Sequence, residues 1–171
     1  MERALLAEIY HALQKLIGLH RQLLEATRGE HQAIVEANLK GIQMATNMKQ
    51  ALVETIGQTE SSRLKSTGQL AAVLGKNPAE LTLKNIIQIA QDVDRAVSDS
   101  LRTSYNVLNL LIQRITEQNQ SNKILIENSL AHMQKLRGNA LTEASSASVT
   151  YTQQGEKSVN VKSSHLISRE A

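Results

Sequence analysis

Cysteine, phenylalanine and tryptophan are absent from the 171 residues, and there is one proline, Pro78. Without a thiol the chain forms no disulfide and no thiolate nucleophile or metal site, which fits a reducing compartment. Aromatic residues make up 2% of the sequence. Strands draw on aromatic and β-branched residues, so this scarcity predicts helices packed through aliphatic side chains. A single proline leaves long helices uninterrupted. An excess of one charge is missing too: 19 basic and 16 acidic residues give a net charge of +3, interleaved along the sequence. A nucleic-acid binder would more often gather its bases on one face, so no nucleic-acid partner is expected.

Apolar runs stay far below the roughly 20 residues that span a bilayer, and the longest cluster, residues 107–112, contains Asn109. No membrane insertion is expected. The start, Met1-Glu2-Arg3-Ala4-Leu5, has no basic segment followed by an apolar one, so a secretory signal is not expected and the location reads as cytoplasmic. Catalytic signatures are missing as well: no phosphate loop and no Gly-x-Ser-x-Gly elbow. His11, His20 and His31 lie too far apart along one helix to share an ion. The expectation is a protein that is not an enzyme and holds no metal and no cofactor.

What the sequence does have is a stripe. Val93, Val97, Leu101, Ser104, Leu108, Leu111, Ile115, Gln118, Asn122, Leu125, Ser129, Met133, Leu136 and Ala140 recur at steps of three and four. A spacing near 3.5 is that of a coiled-coil seam. Residues 93–141 therefore read as a helix on the order of 70 Å long, and its stripe needs a partner. Residues 3–74 supply one through Leu6, Ile9, Leu13, Leu16, Leu23, Ile42, Met48, Leu52 and Ile56, with blurred phase where Glu30, His31 and Asn38 fall. Its internal glycines either mark bends near Gly29 and Gly57 or let another helix approach closely, and the sequence does not choose between these. Gly75-Lys76-Asn77-Pro78 is the clear break: glycine suits a helix C-terminus, Asn77 a cap and Pro78 a first helical position. Thr82 can cap a short helix through Leu83, Ile86, Ile87 and Ile89, and Asp92 or Asp94 can restart the long one.

The expected fold is all-α: an antiparallel long-helix hairpin or coiled coil over residues 1–141, with short helices at 78–91 and a flexible tail at 142–171. In that tail the alternation Ser158-Val159-Asn160-Val161-Lys162 has strand character and no sheet to join.

Three local features point further. Gln118, Asn119 and Asn122 form a polar notch in the seam, readable as a register device or as a partner contact. Beyond it, Ile124, Leu125 and Ile126 are consecutive and point about 100° apart. The stripe thus widens into a second line through Ile126, Leu130 and Met133, with Leu136 and Leu141 continuing the surface. That second line is left either to the short helix or to another protein. Tyr151 is one of three tyrosines and sits in a polar segment, where an aromatic ring serves as an anchor.

At these residues the chain resembles the FlgN family of flagellar type III export chaperones. The matching elements run in order: Glu30; Lys49-Gln50-Ala51-Leu52; Glu60-Ser61-Ser62-Arg63; Asn119-Gln120-Ser121-Asn122 with Ile124-Leu125-Ile126-Glu127; and Tyr151 with Gly155. The likeness spans roughly residues 16–155. It implies a cytoplasmic chaperone that binds the C-terminal helical segments of hook-associated proteins of the hook–filament junction, prevents their premature assembly and delivers them to the export gate. It also implies that Ile126, Leu130, Met133, Leu136 and Leu141 hold the client, and that Tyr151, with Gly155, docks on the gate's cytoplasmic domain. The basic balance and the long stretch after Gly155 depart from the family pattern. The competing readings are a structural, self-assembling coiled coil and a nucleic-acid adaptor; the sequence leaves monomer or dimer open.

Overall fold

The computed structural model describes residues 1–146, 149–151 and 157–159, with side chains through residue 140. The order is α1 (Glu2–Val35), α2 (Leu39–Val73), a 3-10 turn (Pro78–Glu80), α3 (Leu83–Val93), α4 (Arg95–Ser146), β1 (Val149–Tyr151) and β2 (Lys157–Val159). The chain divides into two compact units, Met1–Leu125 and Ile126–Ala171.

The all-α expectation holds for the first unit, with one correction. The helix expected over residues 3–74 is two helices that reverse at residues 36–38, near neither Gly29 nor Gly57. The local chemistry explains the turn. Ala37 adopts the left-handed conformation at φ 51°. The Asn38 amide donates to the Ala33 carbonyl at 2.8 Å and the Ala37 amide to that of Ile34 at 3.1 Å, closing a Schellman motif. Asn38 then caps α2, its side chain accepting from the Gly41 amide at 2.9 Å. A Cβ on Gly41 would meet the Ala33 Cβ at 3.0 Å. A side chain there would have to push Ala33 or the capping Asn38 aside, which glycine avoids at this turn.

The second reversal follows the expected residues. Gly75 sits at φ +63°, with the Lys76 amide bonded to the Ala71 carbonyl at 2.9 Å. Asn77 accepts from the Ala79 amide, Thr82 from the Asn85 amide, and Asp94 from the Ala96 amide. Asp94 thus starts α4, two residues after the expected beginning of the long helix.

Helix directions come from the bonds between helices. Arg3 pairs with Asp94 at the start of α4, Gln14 donates to the Ser104 hydroxyl, and His31 bonds Asn122, at offsets of 91, 90 and 91 residues. A constant offset means that α1 and α4 run parallel. Ser66 donates to Glu8 and Lys49 to Glu30, so α2 runs antiparallel to α1. The reversal expected of the first and last helices is therefore found between α2 and α4.

The core sits between these three helices and α3. Leu6, Ile9 and Leu13 of α1, Leu70 of α2, Ile86 of α3 and Leu101 of α4 are almost completely buried in one cluster. A second cluster joins Ile17, Leu23 and Leu24 to Leu111 and Ile115 of α4. Each fully buried aliphatic side chain contributes about 1.5–3 kcal/mol. The short helix α3 spends its apolar face, Ile86, Ile87 and Ala90, on the first of these clusters, and the Ser98 hydroxyl fastens it to α4 by donating to the Ile87 carbonyl at 2.8 Å.

In the second unit β1 and β2 pair antiparallel, with Val149 opposite Val159 and Tyr151 opposite Lys157. The segment around Val159 therefore finds its strand partner ten residues earlier in its own tail. Residues 142–146, expected to begin the flexible tail, instead continue α4 to Ser146; residues 147–148, 152–156 and 160–171 of that tail lie outside the described residues.

Candidate functional site

The polar notch is the best-organised chemistry in the first unit. Asn122 is 3% exposed, and every hydrogen-bonding position of its amide is used. The Nδ2 group donates to the Thr27 carbonyl and to Glu30 Oε2, both at 2.9 Å. The Oδ1 atom accepts from Gln118 Nε2 at 3.1 Å and bonds His31 Nδ1 at 2.9 Å. With Oδ1 as acceptor, the His31 proton sits on Nδ1. Lys49 Nζ closes the cluster, donating to Glu30 Oε2 at 2.7 Å and to Asn119 Oδ1 at 2.9 Å. One network thus ties α1, α2 and α4 together.

The ion pair in this network is mostly withdrawn from water, with side chains 12% exposed at Glu30 and 21% at Lys49. Burial alone would push the Glu30 carboxyl up. Hydrogen bonds from Lys49 and Asn122, together with the Lys49 charge, outweigh burial and hold the carboxyl below its ordinary range. Of the four residues that carry the family likeness here, Glu30 and Lys49 share one ion pair, Asn119 bonds its lysine and Asn122 its carboxylate. The Glu60 and Arg63 pair on α2 is likewise structural, a two-pronged ion pair at 2.6 and 2.8 Å.

Sequence reasoning found Gln118, Asn119 and Asn122 and missed their partners Thr27 and His31. The signal was available. The apolar phase of the first helix lapses at Thr27, Glu30 and His31, and a polar gap in one helix facing a polar notch in another pairs the two.

The residues expected to hold a client lie on the distal part of α4. Ile126 is 38% exposed, Leu130 54%, Met133 66% and Leu136 55%. Every described side chain from residue 126 to 140 is exposed. Four large apolar side chains within eleven residues form a patch of the kind that marks an interaction surface. The Leu141 side chain lies outside the described residues. Tyr151 belongs to β1; its side chain, and Gly155 entirely, also lie outside them.

Among the described residues no three His, Asp or Glu side chains are grouped to hold a metal ion, and no helix is long and apolar enough to cross a membrane. A family model described as FlgN protein matches residues 1–158. No curated protein sequence and no solved structure matches the chain.

Proposed function

The chain belongs to the FlgN family, the flagellar export chaperones, and from that premise we propose that it holds the C-terminal helical segments of hook-associated proteins on the distal part of α4. The client side chains are Ile126, Leu130, Met133 and Leu136, with Leu141 extending the row. The observation that carries this reading is the exposure of those four side chains on a helix whose proximal half is packed into a core. An unassembled client exposes an apolar helical stripe of its own, and two such stripes cover each other as helix against helix.

Release is part of the task, so the affinity is moderate, about 10⁻⁷ M. The tail adds a second contact: Tyr151, with Gly155, docks on the cytoplasmic domain of the export gate, and tethering of this kind raises the local concentration of the loaded chaperone. The working place is the cytoplasm, where clients are made and the gate domain is reached.

Calorimetric titration with a synthetic client C-terminal segment tests the reading. Wild type binds, and Leu130→Asp combined with Met133→Asp abolishes binding while circular dichroism stays unchanged. Unchanged binding by the well-folded double variant overturns the assignment.

A further inference from the structure

A cleft of about 460 Å³ opens between α3 and α4. Lys84, Gln88 and Gln91 line it from α3, and Arg102 and Asn106 from α4. Residues three or four apart in a helix share a face, so each set belongs to one side of its helix. The apolar floor is Ile87, buried in the first core cluster, and the ring of Tyr105, packed against that cluster. The clefts lined by Glu25 and Glu36, by Glu8, by Glu117, and by Glu80 and Asp92 each carry a carboxylate. The α3–α4 cleft carries none. Its cations are also unclaimed: the four ion pairs among the described residues take neither Lys84 nor Arg102. Glu80 lies four residues before the first and Asp99 three before the second, and neither pairs with it. Among the described residues no hydrogen bond engages the three amides or the Tyr105 hydroxyl. No buried side-chain nitrogen or oxygen lacks a partner there, so these donors stand open to solvent around one space.

We propose that the α3–α4 cleft binds a short acidic peptide segment of a partner protein, with its carboxylates on Lys84 and Arg102 and its backbone on Gln88, Gln91 and Asn106. A guanidinium takes a carboxylate through two parallel hydrogen bonds, and an ammonium takes a second one as a point charge. The amides select a peptide over a phosphate. Each of them both donates and accepts, as a peptide unit does, whereas the oxygens of a phosphate dianion only accept. Nucleic acid calls for a longer basic stripe than two cations. Ile87 and Tyr105 give an apolar side chain beside the acids a floor to rest on.

Both cations are exposed, so the contact is reversible, with a dissociation constant on the order of 10⁻⁵ M. The cleft belongs to the first unit and uses none of the client side chains, so the proposal is independent of the chaperone reading.

The test is fluorescence anisotropy of labelled hexaglutamate with the purified full chain, and hexaglutamine serves as the uncharged probe. Wild type binds hexaglutamate and not hexaglutamine, and added salt weakens the contact. Lys84→Glu with Arg102→Glu raises the dissociation constant at least tenfold. Lys65→Glu with Arg114→Glu makes the same change in net charge at exposed positions outside the cleft and leaves the constant unchanged. Nuclear magnetic resonance reads the site without any substitution: the side-chain amide signals of Gln88, Gln91 and Asn106 shift as hexaglutamate is added to wild type. No binding by wild type overturns the proposal, as does equal loss in the two double variants, which would make the contact one of net charge alone. Amide signals that stay still while hexaglutamate binds overturn it as well. Displacement by inorganic phosphate or oligothymidylate at lower concentration than by unlabelled hexaglutamate assigns the cleft to a phosphate ligand and overturns the peptide reading. None of these measurements contains a client, so their failure leaves the chaperone reading intact.

Discussion

Lys49→Met probes the network that joins α1, α2 and α4. The substitution keeps the length of the side chain and removes one charge and two hydrogen bonds, to Glu30 at 2.7 Å and to Asn119 at 2.9 Å. Glu30 then keeps a carboxylate 12% exposed with the Asn122 amide as its remaining strong donor. Breaking a fully buried pair by removing one partner costs about 3–5 kcal/mol. Lys49, at 21% exposure, leaves water some access, so the expected loss at pH 7 is about 2–3 kcal/mol, read by urea unfolding.

The pH dependence identifies the cause. In wild type the Glu30 carboxyl is held below its ordinary value of 4.5. Its contribution is therefore fully present above that value and lost as pH falls through the lower, folded-state one. In Lys49→Met, burial is no longer offset by the cation, so Glu30 takes up its proton at higher pH, and protonation removes the uncompensated charge. The gap between the two proteins must shrink from pH 7 toward pH 4. A gap below about 0.5 kcal/mol at pH 7, the size of an ordinary surface substitution, or one constant across that range would refute the reasoning and leave Lys49 as a packing residue.

Other outcomes follow from the same contacts. Asn122→Ala strips a donor from the Glu30 carboxylate and an acceptor from His31 and Gln118, while the Thr27 carbonyl keeps its partner within α1; at about 1–3 kcal/mol for a buried group left short of a partner, urea unfolding should show a loss of about 1–3 kcal/mol. Ala37→Gly relieves a left-handed residue that costs about 1–2 kcal/mol for a side chain with a Cβ, so the melting temperature rises. Leu130→Asp with Met133→Asp changes stability by less than about 0.5 kcal/mol per site, as for exposed positions, while client binding is lost. Tyr151→Ala leaves client affinity unchanged and weakens capture by the isolated gate domain, measured by surface-immobilised binding.

The elements that were legible in the sequence are those fixed by neighbours along the chain. Gly75, Asn77, Thr82 and Asp94 each act on an amide or carbonyl a few residues away, and their residue types announce it. The turn at residues 36–38 was illegible because its left-handed position is taken by Ala37, not by a glycine. The glycines that invited a bend, Gly29 and Gly57, lie inside regular helix. Parallel packing of α1 on α4 was hidden for a different reason: register between distant segments is set by which polar residues find each other. Asn122 announced a buried amide, and only the fold shows that Thr27 and His31 complete it. At the candidate site the apolar residues were legible one by one, while their exposure was not, because the sequence left the short helix as a candidate cover and only the fold shows that its apolar face is used in the first cluster.

The most direct measurement of the central claim places a photo-crosslinking residue at position 133 on the distal helix or at position 64 on α2, where Leu64 is 53% exposed and equally apolar. With a client segment in excess and ultraviolet light, the account predicts a client adduct from position 133 and none from position 64. Equal adducts from both positions, or one from position 64 alone, would contradict it.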